Sequence, residues 1–419
     1  MSKWPVSSLQ GKLHIKHGYP FKSEYFSDDG HYVVLTPGNF HEAGGFKRQA
    51  EKEKYYLGDI PEDYLHSKGD LIVAMTEQSA GLLGSCAFVP EENTYLHNQR
   101  LGLISTDPKE LNKSFVYYLF QTKSVREQIR LTSTGSKVKH TSPDRLYAVT
   151  APLPKVDEQK KIAAVLSALD AKIDCNNRIN AELEAMAKTL YDYWFVQFDF
   201  PDASGKPYKS SGGKMVYNAT LKREIPLGWH DSNVMAVADL LGGGTPTKKK
   251  PEYWSGNIPF FTPTDADGSI FKFSTADYIT SEGLKGSSTK LFSKHTVFIT
   301  ARGSVGRLVL AGVDMAMNQS CYALRAKTGI SHVFLFFLAK ELIHHLHVKS
   351  SGSVFDSIVS NDIELTKLAI PKAEVIEEFA AVVEPAFEKI ANNTKENQQL
   401  AQLRDWLLPL LMNGQVTVA

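Results

Sequence analysis

The sequence predicts a mixed α+β (α/β mixed) chain, with two pseudo-symmetric domains separated by a long antiparallel two-helix coiled coil. Three observations carry that prediction. The second half repeats the landmarks of the first in the same order. Each half opens on short β-type runs divided by Gly, Asn, Asp and Pro clusters. Each half then closes on a long uninterrupted stretch with apolar residues at helical spacing.

The repeat is read from position. A shift of 217 residues lays Gly352-Ser353 over Gly135-Ser136, Ile370-Pro371 over Leu153-Pro154, and Leu400 over Leu183. Upstream the shift drifts, as insertions in surface loops would cause. Asn318-Gln319 matches Asn98-Gln99, Gly303-x-x-Gly306 matches Gly81-x-x-Gly84, and Trp229 matches Trp4. Their common order over about 190 residues points to duplication.

In chain order, β-type runs at 71–75 and 101–104 lead to a helical segment at 115–130. In the second copy, runs at 297–300, 308–311 and 321–324 lead to a helical segment at 332–348. A polar Ser/Thr/Gly loop and a short strand ending in proline follow in each. Long helices are expected at 158–195 and 375–413, and the stretch 198–224, rich in Gly, Ser and Lys, reads as a linker. The expected divisions are a first domain 1–155, a helical region 156–197, the linker 198–224, a second domain 225–372 and a second helical region 373–419.

Both long helices carry heptad-like stripes, among them Ile162, Leu166, Leu169 and Ile173 in the first and Phe379, Val383, Ala386 and Ile390 in the second. Such stripes over about 33 residues suit a coiled-coil pairing; packing of each helix on its own domain is the alternative. Each stripe breaks near its midpoint, at Asn176 and Asn180 and again at Asn393 and Asn397. In an antiparallel pair these midpoints meet, and polar residues in a seam cost stability while fixing register. Solvent exposure at a loosened midpoint explains the asparagines equally well.

Composition sets the outer bounds. Of 419 residues, 42% are hydrophobic and 22% charged, as in ordinary soluble globular proteins. Three cysteines, Cys86, Cys175 and Cys321, form no C-x-x-C pair, which argues against a disulfide framework or zinc and suits a reducing cytoplasm. No run of 18 apolar residues suggests a membrane span. The net charge of +1 gives no basic excess, so any nucleic-acid contact rests on local clusters or on partners. The glycine triplet 242–244 lacks the G-K-[ST] of a phosphate loop, and H-E-x-x-H is absent. His344, His345 and His347 read as a helix face and not as a metal site. No catalytic residue and no metal site is expected.

Two similar domains on a stiff spacer suit a ligand with two separated sites. About 33 helical residues span roughly 50 Å at ~1.5 Å each, and B-DNA presents the same groove face every ~34–36 Å. Here the residues resemble those of the specificity subunit of type I restriction–modification systems. Leu153-Pro154-x-x-x-Glu158-Gln159 before Ile162-Ala163 is similar to the family's entry into its first helix. The two Gly-x-x-Gly turns, the Asn-Gln pairs, the Phe-Asp-Phe-Pro stretch at 198–201 and Ile225-Pro226-Leu227-Gly228-Trp229 are similar as well. The second copy departs from the pattern, with Val375-Ile376-Glu377-Glu378 in place of the Glu-Gln signature.

That resemblance implies two target recognition domains, each reading half of a bipartite site in double-stranded DNA. It implies a coiled coil that spaces them and docks two methyltransferase subunits, with restriction subunits joining for cleavage and phage defence. The chain itself is expected to hold no cofactor. S-adenosylmethionine, ATP and Mg2+ would sit on the partners, in the cytoplasm of a bacterium or archaeon. The rivals are a stand-alone DNA-modifying enzyme and a two-lobed protein-binding scaffold.

Base reading needs paired donors or acceptors, while lysines and arginines hold phosphates. In the first copy the candidates are Lys137, Lys139 and His140 in the Ser/Thr/Gly loop, with Thr76 and Gln78 in the Gly-x-x-Gly turn. In the second they are Arg302 and Ser304 in the equivalent turn, Ser353 in the later loop, and Lys248, Lys249 and Lys250. A solvated loop or charge run competes with each of these readings. Asn98-Gln99 and Asn318-Gln319 suit a shared structural turn better than adenine reading.

Overall fold

The computed structural model describes residues 3–49, 52–349 and 357–418. It divides into two units, Met1–Ile173 with Gln399–Ala419, and Asp174–Gln398. The division falls inside both long helices, so each unit holds part of each.

In the first unit, Leu71–Ala74 is the strand that organises the core. All four residues are buried, and successive side chains point to opposite faces. Leu71 and Val73 join Ile104, Phe115, Leu119, Val125 and Ile129 on one face. Ile72 and Ala74 join Val33, Leu35 and Tyr95 on the other. The strand lies in an antiparallel sheet ordered Leu13–His17, Leu101–Thr106, Leu71–Ala74, Cys86–Phe88. A second sheet runs Phe26–Ser27, Tyr55–Tyr56, Val33–Leu35, Tyr95–His97, with its last pair parallel.

The second unit repeats the plan. Its main sheet is ordered Ala238–Gly242, Cys321–Ala326, Val297–Thr300, Leu308–Ala311, with Phe271–Lys272 added at the edge. Its other sheet runs Asp277–Ile279, Trp254–Phe261, Met315–Met317, Leu291–Phe292, again with one parallel pair inside. Val297 and Ile299 face the helix side, and Phe298 faces the second sheet.

Two expectations need adjustment. The helix expected at 115–130 is two helices, Lys113–Leu119 and Lys123–Leu131. Thr122 between them is extended (φ −67°, ψ 140°), and its hydroxyl donates back to the Leu119 carbonyl at 2.7 Å. The second copy's helix, His332–Lys349, is unbroken. The stretch 198–224 is also ordered: Met215–Asn218 and Arg223–Pro226 form a hairpin. Phe198 and Phe200 are buried against Trp229, with ring centroids 5.3 Å and 5.4 Å away. Glycine and serine dominate its composition, but two aromatic anchors decide its structure.

The long helices are Val156–Tyr191 and Ala373–Met412. In the first unit, Ile162 and Leu166 share a core with Leu408, Leu411 and Met412, and Asp170 pairs with Arg404 at 2.8 Å. In the second unit, Tyr191, Trp194 and Phe195 close on Phe379, all within 6.0 Å between ring centroids. Within each unit, partners fall in number along one helix as they rise along the other, so the pairing is antiparallel. Each fully buried aromatic or aliphatic side chain here contributes about 1.5–3 kcal/mol.

A buried polar chain runs under the first unit's second sheet. The His97 Nε2–H donates to the Lys16 carbonyl at 3.3 Å, which leaves Nδ1 to accept from His66 Nε2 at 2.9 Å. His66 Nδ1 in turn meets Asp70 Oδ2 at 3.1 Å. Burial, aided by His66, pushes His97 down to about 3. Among the described residues no helix is long and apolar enough to cross a membrane, and no three His, Cys, Asp or Glu side chains could hold a metal ion.

Candidate nucleic-acid interface

In the first unit the candidate interface grows from the end of the central strand. After Ala74 the chain turns through 76–84, with Gly81 at φ +87° and Gly84 at φ +76°, conformations that favour glycine. Gln78, Ser79 and Ala80 are exposed at its tip. The Glu77 carboxylate accepts from the Gly81 N–H at 2.9 Å and closes the turn. The loop 134–140 zips onto the same strand end. Thr134 and His140 exchange backbone hydrogen bonds, Lys139 O accepts from Glu77 N, and Met75 O accepts from Thr141 N at 2.9 Å. Gly135 is obligatory there, because a Cβ would lie 2.0 Å from the Val138 carbonyl.

These contacts bring the first copy's candidates together. Thr76 is buried, and its hydroxyl meets His140 Nδ1 at 3.1 Å, so it holds His140 and is not itself open to a base. Lys137 and His140 are exposed and Lys139 is half-buried.

The second unit builds the same arrangement from different side chains. Arg302 bridges Ser357 as Thr76 bridges His140, and Ala301 O accepts from Ile358 N at 2.9 Å. Arg302 is exposed, whereas Ser304 is half-buried and its carbonyl accepts from the Thr300 hydroxyl. Ser353 lies outside the described residues. Lys248, Lys249 and Lys250 are exposed on the approach to Trp254. The Lys248 ammonium sits 5.7 Å from the Trp254 ring and the Lys250 ammonium 5.0 Å from Tyr253. Lys250 also donates to the Tyr253 hydroxyl at 3.1 Å, which raises its affinity for the proton. Aromatic faces thus preset two of the three charges.

The Asn-Gln pairs are turns. Asn98 Oδ1 accepts from Arg100 N, and Asn318 Oδ1 from Ser320 N, both at 3.0 Å. Gly18 and Gly243 pass so close that a Cβ would stand 1.9 Å and 2.1 Å from the Asn98 and Asn318 carbonyls. Sequence reasoning missed the role of these two glycines; their signal was a glycine directly after the strands Leu13–His17 and Ala238–Gly242.

The helix asparagines meet in the second unit. Asn176 is buried and its amide donates to Asn397 Oδ1 at 2.9 Å and Glu396 Oε2 at 2.7 Å. Asn393, also buried, donates to Asn180 Oδ1 at 2.9 Å.

The family profile described as the type I restriction modification DNA specificity domain matches residues 1–185 and again 226–402. The chain belongs to this family. Among relatives of this specificity-domain chain is the type I restriction enzyme MjaIX specificity subunit of Methanocaldococcus jannaschii. It is 28% identical over 410 residues, covering 90% of this chain and 91% of the relative. The type I restriction enzyme HindI specificity subunit of Haemophilus influenzae is 22% identical over 401 residues, covering 83% and 87%. The crystal structure of the type I restriction–modification system S subunit from M. genitalium shares the fold, with a TM-score of 0.60 at 17% identity, covering 98% of this chain and 96% of that one.

The family's Glu-Gln signature has a physical reading in this specificity-domain chain. Gln159 is buried at the start of the first long helix, accepting from Asn112 N at 2.8 Å and donating to the Glu110 and Pro154 carbonyls at 3.0 Å and 2.9 Å. It ties that helix to the capped end of Lys113–Leu119. At the matching place in the second unit, Ile376 is buried in apolar surroundings, so the departure from the signature exchanges a polar tie for packing.

Proposed function

We propose that this chain is the DNA-specificity subunit of a type I restriction–modification enzyme, each target recognition domain reading one half of a bipartite duplex site. In the first unit the turn 76–84 and the loop 134–140 carry the reading groups Gln78, Lys137, Lys139 and His140, with Thr76 behind them. In the second, Arg302, Ser304 and Ser353 serve the bases, and Lys248, Lys249 and Lys250 serve phosphates. The paired helices set the gap between the half-sites and dock two methyltransferase subunits, to which restriction subunits add. S-adenosylmethionine, ATP and Mg2+ belong to those partners, and the complex works in the cytoplasm.

The observation that carries this reading is one scaffold presented twice with different side chains. The bridge Thr76–His140 recurs as Arg302–Ser357. Matching strand ends with unequal donors are what two different half-sites require.

The test is competition binding of the chain assembled with its methyltransferase subunits. Duplexes differ in the first half, the second half or the gap by one base pair. Each change should weaken binding by itself, a mismatched pair by about 1–3 kcal/mol. Equal affinity for all duplexes, random ones included, would leave the protein-scaffold reading standing instead.

A further inference from the structure

The two reading turns leave equivalent strand ends and close on a glycine N–H, the first after ten residues and the second after six, and they differ in what holds them. In the second unit, Gly306 N donates to the Thr300 carbonyl at 2.8 Å, and the Thr300 hydroxyl ties the turn from within, donating to Ser304 O and accepting from Arg307 N at 2.9 Å. The equivalent bond in the first unit runs from Gly84 N to the Ala74 carbonyl, also at 2.8 Å. Ala74 stands where Thr300 stands and has no hydroxyl to offer.

A guanidinium supplies the missing tie. Arg126, on helix Lys123–Leu131, donates from Nη2 to the Gly81 carbonyl and to the Glu42 carbonyl, the latter at 2.6 Å. The two acceptors belong to separate segments, so one side chain anchors the turn to the body of the unit. The helix comes in close: a Cβ on Gly84 would lie 2.7 Å from Ile129 Cδ1 and 3.7 Å from Arg126 Nη1. Nη1 is buried and has no hydrogen-bond partner among the described residues. Burial at that place disfavours the charged guanidinium, with Glu77 and Glu42 opposing the loss. A residue held at such cost, and tied to backbone carbonyls alone, fixes a path for the chain.

We infer that Arg126 is a positioning residue for the first half-site, holding the backbone of turn 77–84 so that Gln78 and Ser79 meet base edges in one register. This rests on the reading of that turn as a DNA contact. Arg126 itself touches no base and no phosphate.

The test uses the full chain assembled with its methyltransferase subunits and a duplex library randomised in both half-sites. Arg126→Ala and Arg126→Lys are compared with Gln78→Ala. Both Arg126 variants should lower base preference at the first half-site about tenfold. Preference at the second half-site should stay as in the wild type, and so should the slope of log affinity against log salt. Lysine keeps the charge but carries it on a shorter, flexible stem without the planar fork that fixes Nη2 between the two carbonyls, and it decides the matter if the alanine variant fails to fold. Full first-half preference in the Arg126 variants, with loss in Gln78→Ala, overturns the inference and leaves the turn's role intact. Full preference in Gln78→Ala as well removes the turn from DNA reading, and the inference with it. Loss at both half-sites, or a shallower salt slope, makes Arg126 a general structural or phosphate group and overturns the inference too.

Discussion

Arg302 is exposed at the end of a fully buried strand, with its backbone pinned to Ser357. A guanidinium so presented suits bidentate pairing with guanine. Arg302→Ala should cost about 1–3 kcal/mol on duplexes with the correct second half and little on others; equal loss on every duplex in a gel-shift series would make it a phosphate contact. His97 makes a different prediction, about acid. Folded, it stays neutral down to about 3, against 6.5 when unfolded, and His332 in the second unit is pushed down to about 4, by burial first and then by His295. Below 6.5 the unfolded chain binds protons that the folded chain refuses, so stability falls with pH from 6.5 toward 4. Denaturant titrations across that range should show this slope, and His97→Asn and His332→Asn should each flatten it.

At the scale of elements, the paired helices join apolar stripes through a polar midpoint. Leucine in place of both Asn176 and Asn393 would add apolar burial, while Asn180 and Asn397, being only half-buried, keep access to water. The double variant should melt higher, by about 2–4 °C per kcal/mol gained, and should accept duplexes with altered gaps. An unchanged gap preference in binding assays would remove the register role. The elements most legible in the sequence were those with long periodicity or obligatory glycines: both long helices, the strand at 297–300 and the Gly-x-x-Gly turns. The break at Thr122 was not legible, because the apolar spacing of Phe115, Tyr118, Val125 and Ile129 continues across it. Nor was the order in 198–224, where Phe198 and Phe200 act through tertiary burial that composition does not register. The candidate interface was legible in part. Arg302 and Lys137 stand out by charge and exposure, whereas the support given by Arg126 depends on carbonyls 84 and 45 positions away in sequence.

For the whole molecule, charge is the informative quantity. Forty-seven basic residues against 46 acidic ones leave little long-range attraction for a polyanion. The isolated chain should therefore bind duplex DNA with a shallow dependence on salt, and the slope should steepen when methyltransferase subunits bring further phosphate contacts. Filter binding at several salt concentrations, with and without those subunits, checks both statements.

The different anchoring of the two turns, a guanidinium in one and a threonine hydroxyl in the other, has an evolutionary corollary. Substitutions that loosen or re-aim one turn leave the other's support untouched, since each anchor belongs to its own unit. A lineage carrying this chain can thus change its target vocabulary one half-word at a time.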